Sequence, residues 1–251
     1  MLIVECIVTS FRLKNNKNRK KNQKIAKYYP LLTKILTHER NDDIFGTVLK
    51  FLNFIIMRTV TYYLGGYEVT IAVGNNLLKF DASAFVAERF SDQFEAVEQT
   101  SYLRHSPFAE GVLDYEQELD QNGGELPYGH ACVSKTIYGK RIINSTILGV
   151  DKELPLKERE FFVRHAWANI VVCANAQKIK DVVVPALATS DKYGCLSHAE
   201  SAKCLVAVLL KLQSKEAPPL AMTVVVPDEE GAKEFERIFN RQHKIEPADD
   251  L

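Results

Sequence analysis

Residues 181–187 have the sequence Asp-Val-Val-Val-Pro-Ala-Leu, which is apolar after its first residue. The loop Ala-Thr-Ser-Asp-Lys-Tyr-Gly follows at residues 188–194, and a helical pattern covers residues 197–211. A second apolar run at residues 221–226 precedes another helical pattern over residues 228–240. Short unbroken apolar runs predict strands buried on both faces. Strand, helix, strand and helix in this order predict a right-handed crossover unit, so the chain is predicted to have an α/β fold.

The segments before this unit predict the rest of a mixed sheet. Strands are expected at residues 68–73, 131–137 and 141–148, with a hairpin at Gly139 joining the last two. Helical spacing of apolar residues predicts helices over residues 82–99 and 156–178. The sequence thus predicts a mixed sheet with helices on both faces, beginning near Tyr67.

Charge is unevenly distributed along the chain of 251 residues, although its formal net charge is zero. Residues 12–27 contain no acid, and the rest of the chain therefore has an excess of acids over bases. An acidic body argues against phosphate-backbone binding as the main role of the folded domain. The basic segment itself permits weak nucleic-acid contact, a nuclear localisation signal or a solvated tail. Its eight basic residues are Arg12, Lys14, Lys17, Arg19, Lys20, Lys21, Lys24 and Lys27.

These features suggest three regions. Residues 1–60 form a basic N-terminal extension, either disordered or containing two short helices at residues 27–39 and 44–57. Residues 61–243 form the folded domain, and residues 244–251 form a C-terminal tail.

Cysteine usage and hydropathy bound the environment. The five cysteines are widely spaced and include no Cys-x-x-Cys pair, so neither a disulfide framework nor a metal site is expected. A reducing compartment, cytoplasmic or nuclear, is predicted. The apolar stretch at residues 44–57 contains Lys50 and Asn53 and is shorter than the ~20 residues needed to span a bilayer, so no membrane contact is expected.

The loop after residues 181–187 resembles that of macro domains, the family that binds ADP-ribose. In those proteins a strand ending in Pro-Ala-Leu is followed by a small-Thr-Gly loop, an aromatic residue, a glycine and an Ala-rich helix. This chain has Pro-Ala-Leu at residues 185–187 and then Thr189, Tyr193 and Gly194, with one residue inserted before the aromatic. Residues 74–82, 124–133 and 141–146 resemble further macro-domain segments in the same order.

The resemblance implies a macro-domain-like α/β fold and a nucleotide site. It implies ADP-ribose or an ADP-ribosylated protein as ligand, with no cofactor. Asn75 stands where the family has an aspartate that selects adenine, and its amide oxygen offers the same acceptor. The implied ligand-binding residues are Asn75, Asp81, Thr189, Ser190, Tyr193 and Gly194.

The departures from the family pattern bear on activity. Residues 85–88 are Phe-Val-Ala-Glu where the family has Asn-Ala-Ala-Asn, and residues 89–99 lack the family's phosphate-wrapping glycines. Without glycine the backbone cannot approach a phosphate closely, and Glu88 and Asp92 would repel it. No catalytic residue is therefore assigned. The prediction is a noncatalytic binding or interaction module with a degenerate pocket; the alternative is an ADP-ribose-binding protein or ADP-ribosyl hydrolase that uses the loop at residues 189–194.

Two further patterns have competing interpretations. Cys195 and His198 have the spacing of a thiolate and base, but a histidine where a loop enters a helix is more often a cap or solvated. Trp167, Phe161 and Phe162 lie at helical spacing, which indicates core packing rather than a platform for stacking bases.

Overall fold

The computed structural model describes residues 59–92, 109–135, 139–213 and 220–243. The chain divides into the units Met1–Met57 and Arg58–Leu251, and every described residue belongs to the second unit. The predicted helices of the N-terminal extension and the predicted tail at residues 244–251 lie outside the described residues. Within the described ranges, no helix has the length and apolar character needed to cross a membrane.

The described residues build one mixed sheet, a short 3-10 helix at Leu77–Lys79 and four α-helices. The strands are β1 (Thr59–Leu64), β2 (Tyr67–Val73), β3 (Ala84–Phe90), β4 (Ala131–Val133), β5 (Arg141–Leu148), β6 (Asp181–Pro185) and β7 (Ala221–Val226). The helices are α1 (Ala109–Gln121), α2 (Leu156–Ala176), α3 (His198–Lys211) and α4 (Glu229–His243).

The seven strands have the order β1-β2-β7-β6-β3-β5-β4. The five central strands are parallel, while β1 and β4 pair antiparallel to their neighbours at the two edges. The chain leaves β3 towards β5 on one side, and after β6 it continues to β7 on the other side. The order therefore reverses between β3 and β6, and the carboxyl ends of the parallel strands meet at one edge of the sheet. In open α/β sheets this switch point is the usual place for a ligand.

Helices cover both faces of the sheet. Ala84 and Val86 of β3 belong to the large core that also contains buried residues of α2, α3 and α4. Because successive strand residues face opposite sides, Phe85 and Ala87 contribute to a second, smaller cluster on the other face. Arg89 continues that second face and lies under Tyr115 of α1. The α/β architecture with helices on both faces is thus confirmed.

The predicted helix over residues 82–99 is wrong where the structure describes it, because Ala84–Phe90 is the strand β3. Every residue of β3 is buried, since it lies between β5 and β6. A strand buried on both faces has no alternation, and its apolar residues then match a helical template equally well. Residues 93–99 of the predicted helix lie outside the described residues.

The other strand and helix predictions hold with small changes of boundary. The buried runs at residues 181–187 and 221–226 are strands β6 and β7, and α2, α3 and α4 occupy the predicted helical segments. β4 is shorter than predicted and pairs antiparallel with β5, as expected for a hairpin. The sheet begins at Thr59 rather than near Tyr67, because β1 adds an edge strand that the sequence patterns missed. α1 was also missed.

Candidate functional site at the carboxyl edge of the sheet

A crevice is expected where β3 and β6 separate. These strands pair only at Ala84–Val182 and Phe85–Val183, although β6 remains paired with β7 as far as Pro185. Proline has no backbone N–H to donate to a neighbouring strand. Beyond this point the carboxyl half of β3 no longer pairs with β6. It lies next to the loop at residues 186–197, which connects β6 to α3. This loop is called the β6–α3 loop below.

Glu88 fills this switch point. Its side chain is fully buried, and its Oε1 accepts a hydrogen bond of 2.7 Å from the backbone N–H of Ala188 in the β6–α3 loop. Its Oε2 is also buried and receives no hydrogen bond from any residue the structure describes. Burial raises the pKa of Glu88 to about 7, and the Ala188 hydrogen bond acts in the opposite direction. The crevice therefore contains a carboxyl group that changes charge near neutral pH.

The β6–α3 loop is closed by its own hydrogen bonds. The Gly194 N–H donates to the Ser190 carbonyl at 2.7 Å, the Tyr193 N–H donates to the Ser190 Oγ at 3.1 Å, and the Leu196 N–H donates to the Ala188 carbonyl at 3.0 Å. Ala188 has a left-handed backbone with φ of 60°. Backbone N–H groups of such a loop are what an anion would bind. Those of Tyr193, Gly194 and Leu196 already have acceptors inside the loop.

Gly194 is required by close packing. A Cβ atom at this position would lie 2.5 Å from the Ala188 carbonyl oxygen and from the backbone nitrogen and oxygen of Ser190. Since real Cβ contacts are much longer, any side chain at residue 194 would force the loop apart. Gly194 is therefore explained by the internal structure of the loop, without a phosphate.

The loop is tied to two helices. Ser201 of α3 donates from its Oγ to the Leu187 carbonyl at 2.7 Å, and Ser197 and Glu200 form a capping box at the start of α3. From α2, Arg159 donates through Nη1 to the Cys195 carbonyl at 2.6 Å. The inner part of the loop is thus held against the core, while Asp191 and Lys192 at its outer part are exposed.

Four of the predicted ligand residues, Thr189, Ser190, Tyr193 and Gly194, lie together in this loop. Thr189 donates from its Oγ1 to the Ala186 carbonyl at 2.8 Å, so its hydroxyl also serves the loop. The Tyr193 ring is half-buried and meets the edge of Phe90, at the end of β3, with ring centroids 5.0 Å apart. Tyr193 therefore packs across the switch point.

The other two predicted ligand residues lie elsewhere. Asn75 is exposed after β2, at the same edge of the sheet, but β7 separates β2 from β6. Asp81 precedes β3 and therefore lies at the opposite, amino edge, about 20 Å from the crevice at 3.3 Å per strand residue. There it pairs with Lys140 at 2.8 Å, and this partner holds the pKa of Asp81 below its ordinary value. The structure does not bring Asp81 into the candidate site, because a full strand separates the two.

A thiolate at Cys195 is disfavoured. The residue is buried, and burial raises the pKa of its thiol to about 11, with Arg159 acting in the opposite direction. His198 packs against α4, where the Phe235 ring lies 6.4 Å from its own ring and Gly231 leaves room for its imidazole.

Trp167 is fully buried, in agreement with core packing. Over the described ranges, no group of three His, Cys, Asp or Glu residues has the arrangement of a metal site.

Ala188 and Arg159 contribute to the site but were not singled out in the sequence. Both act through contacts that join distant segments, and neither belongs to a local motif. A signal did exist at Glu88 and Arg89, where two charged residues interrupt the apolar run of β3. Arg89 points to the opposite face, where its Nε donates to Asn144 Oδ1 at 2.9 Å. Adjacent buried charges in a central strand rarely serve packing alone.

Comparison with solved structures identifies the fold. The structure is similar to the Oceanobacillus iheyensis macrodomain with ADP, with a TM-score of 0.63 and 16% identity over 75% of this chain and 98% of that chain. It is also similar to the Trypanosoma brucei macrodomain in complex with ADP-ribose, with a TM-score of 0.51 and 12% identity over 66% and 68%. The ganglioside induced differentiation associated protein 2 macro domain gives a TM-score of 0.53 and 14% identity over 69% and 84%.

Sequence comparison adds nothing to this, because no family model and no curated protein matches the chain. The strand order, the switch point and these structural similarities together show that the unit following residue 57 has the macrodomain fold.

Proposed function

We propose that this chain is a noncatalytic module on the macrodomain fold, whose switch-point crevice no longer binds ADP-ribose at micromolar affinity. The observation that carries the proposal is the Glu88–Ala188 hydrogen bond across the crevice. It places a carboxyl group where the resemblance implies an asparagine, and it uses a backbone donor of the β6–α3 loop. A diphosphate at this edge of the sheet would meet a carboxylate, and the N–H groups of Ala188, Tyr193 and Gly194 already have acceptors.

The charges around the crevice support the same conclusion. Asp92 follows β3 and Asp191 lies in the β6–α3 loop, and both are exposed. Each unit negative charge at ~4 Å from a phosphate costs ~1 kcal/mol in water and several times that in a shielded site. Lys192 extends over the Tyr193 ring at 4.7 Å from its centroid and offsets only part of this charge.

Hydrolysis is not supported by the site. The resemblance implies a reaction that depends on the distal-ribose asparagine or on a glycine-rich loop to position water, and Glu88 and the glycine-free segment after it replace both. Cys195 of the β6–α3 loop stays protonated at neutral pH because burial raises the pKa of its thiol to about 11.

ADP-ribose binding through the β6–α3 loop is the second candidate. It is favoured by the ligands of similar structures, since the Oceanobacillus iheyensis macrodomain was solved with ADP and the Trypanosoma brucei macrodomain with ADP-ribose. In that case Tyr193 would pack on a ribose. Weak nucleic-acid contact through the basic residues 12–27 and a cytoplasmic or nuclear location remain separate proposals.

Calorimetric titration with ADP-ribose at pH 7.5 distinguishes the two candidates. The proposal predicts no saturable binding below roughly millimolar ADP-ribose, which is about 4 kcal/mol of binding free energy or less. An ADP-ribosylated protein incubated with the chain should also keep its modification. Saturable binding near 1 μM, or release of ADP-ribose above that of a heat-denatured control, contradicts the proposal.

A further inference from the structure

We propose that the Glu88 crevice is a site for a cationic side chain, an arginine guanidinium or a lysine ammonium presented by a basic peptide. This inference rests on the proposed function, because it requires a crevice that rejects a diphosphate. It concerns the chemistry of the partner that the noncatalytic module binds.

The unpartnered oxygen of Glu88 is the first observation. Oε1 is engaged by Ala188, but Oε2 is buried without a donor from any described residue. Leaving a buried carboxylate oxygen without a hydrogen bond is costly. A guanidinium or ammonium group supplies both the missing donor and the opposite charge, and such charge-assisted hydrogen bonds are the stronger kind.

The charge of the surrounding edge is the second observation. In the described loops that follow the parallel strands, exposed carboxylates outnumber the exposed amines, which are Lys79, Lys152 and Lys192. Lys152 Nζ donates to the Asp191 carbonyl at 3.2 Å, which places the loop after β5 beside the β6–α3 loop. A partner approaching this edge therefore meets a predominantly acidic surface. Apart from Asp81 at the opposite edge, the exposed acids in the described loops are Asp92, Asp151, Glu153, Asp191 and Asp228, and Glu229 and Glu230 are exposed in the first turn of α4.

The backbone donors of the β6–α3 loop are the third observation. The N–H groups of Ala188, Tyr193 and Gly194 already donate to Glu88 or Ser190. An anion that bound these three N–H groups would have to break their hydrogen bonds, whereas a cation can bind the free oxygen of Glu88 and leave all three in place. The same contacts that reject a phosphate therefore favour a cation.

Access requires movement of the outer residues of the loop. Glu88 itself is fully buried, while Thr189 and Ser190 are half-buried and Asp191 and Lys192 are exposed. The solvent-accessible part of this loop next to Ala188 is the outer arc, since residues 186–188 and 194–196 are buried. A long arginine or lysine side chain can reach past such an arc while its charged neighbours remain on the acidic surface.

The test uses a fluorescently labelled peptide of alternating Arg and Gly, with the same peptide carrying neutral citrulline in place of Arg as control. The full chain is expected to bind the Arg peptide, and Glu88→Gln is expected to weaken that binding at least tenfold. The matched variant Asp81→Asn removes an exposed carboxylate at the opposite edge of the sheet and should leave the binding unchanged. A Lys peptide separates ammonium from guanidinium recognition, and both results agree with the site.

A second measurement tests the inference even if Glu88→Gln fails to fold, because it uses the unmodified chain. Binding of the Arg peptide to the unmodified chain should strengthen as pH rises from about 5.5 to about 8, because Glu88 must be ionised to pair with a cation. Binding near pH 7 should release protons, measured as a dependence of the calorimetric heat on the buffer. Equal affinity for the Arg and citrulline peptides, no binding of the Arg peptide, or unchanged affinity in Glu88→Gln overturns the inference. Micromolar ADP-ribose binding in the same chain refutes the proposed function instead.

Discussion

The two halves of the parallel sheet are both largely buried but are built differently. In β6 and β7 the residues facing the core are apolar, as in the run Val182, Val183 and Val184. In β3 and β5 buried polar residues interrupt the apolar pattern, and apolar residues resume at the last positions of both strands. The buried polar residues are Glu88, Arg89, Asn144, Ser145 and Thr146.

The difference separates stability from specificity. An apolar strand contributes free energy through burial and needs no particular partner. A buried polar group contributes only when it is hydrogen-bonded, so each one defines a neighbour. Glu88 with Ala188 and Arg89 with Asn144 are such pairs. We therefore expect substitutions in β6 and β7 to change stability alone, and substitutions in β3 to change pH dependence and ligand choice.

The largest effect is expected at the junction of the halves, in the β6–α3 loop. Gly194→Ala places a Cβ atom 2.5 Å from three backbone atoms, and Gly194 has no left-handed backbone to complicate the comparison. We expect a loss of about 3 kcal/mol or more in the free energy of unfolding, measured by urea denaturation. Gly74→Ala is the control, since its Cβ would make an ordinary contact of 3.5 Å with Val225. Similar losses in both variants would show that the loop is not packed as described.

The next effect is the pH dependence contributed by Glu88. Below about pH 4.5 its carboxyl is protonated in both the folded and the unfolded chain. Between about pH 4.5 and pH 7 the unfolded chain loses the proton first, so the free energy of unfolding falls as pH rises. Above pH 7 the whole penalty applies, at most about 3 kcal/mol for a shift of this size.

This contribution of Glu88 is measured by urea unfolding at pH 5 and pH 8. The change in the free energy of unfolding between the two pH values is compared between the unmodified chain and Glu88→Gln. The unmodified chain should lose more stability across this interval than the variant does. Contributions of groups with lowered pKa values, such as Asp81 and Glu234, have the opposite sign and cancel in the comparison. Identical pH profiles in the two proteins would contradict the account of Glu88.

A smaller effect is expected in the apolar half. Val184→Ala removes two buried methyl groups from the centre of β6 and should cost about 2 kcal/mol. Its pH profile should match that of the unmodified chain, which contrasts with Glu88→Gln. Thr61→Ala, an exposed position on the edge strand β1, serves as the control with little change. A changed pH profile in Val184→Ala would break the separation of the two halves.

The smallest effect is the loss of one buried hydrogen bond. Ser201→Ala removes the Oγ that donates to the Leu187 carbonyl and should cost about 1 kcal/mol. Thermal unfolding followed by circular dichroism measures this loss. The stability of Ser201→Cys, which keeps a weak donor, should lie between those of the unmodified chain and Ser201→Ala. No change in either variant would show that this bond does not hold α3 to the loop.

The same contrast explains what the sequence could predict. Apolar runs bounded by helical patterns identified β6, β7 and α2 to α4, because burial and periodicity are local properties. The helical interpretation of Ala84–Phe90 failed because a strand buried on both faces carries no period of two. β1 was missed although Thr59–Leu64 is rich in β-branched and aromatic residues, because the predicted extension reached residue 60.

For the candidate site, the sequence identified the β6–α3 loop and the unusual acid Glu88, since both follow from residue type and order. It could not identify Ala188 as the partner of Glu88, because a hydrogen bond between residues a hundred positions apart depends on strand order. The resemblance of residues 74–82 to a macro-domain segment placed Asp81 in the site. Asp81 precedes β3, however, and therefore lies at the opposite edge of the sheet from Glu88. Local sequence patterns therefore do not reveal contacts across the sheet.

The hydrogen bond of Glu88 to Ala188 across the switch point is the centre of this account, and the amide resonance of Ala188 reports it directly. In ¹H–¹⁵N spectra recorded from about pH 5 to pH 8.5, this resonance should shift with a midpoint near pH 7, as Glu88 ionises. The shift should disappear in Glu88→Gln. An Ala188 resonance that does not change across this range, or one that shifts equally in Glu88→Gln, would contradict the claim that Glu88 occupies the crevice.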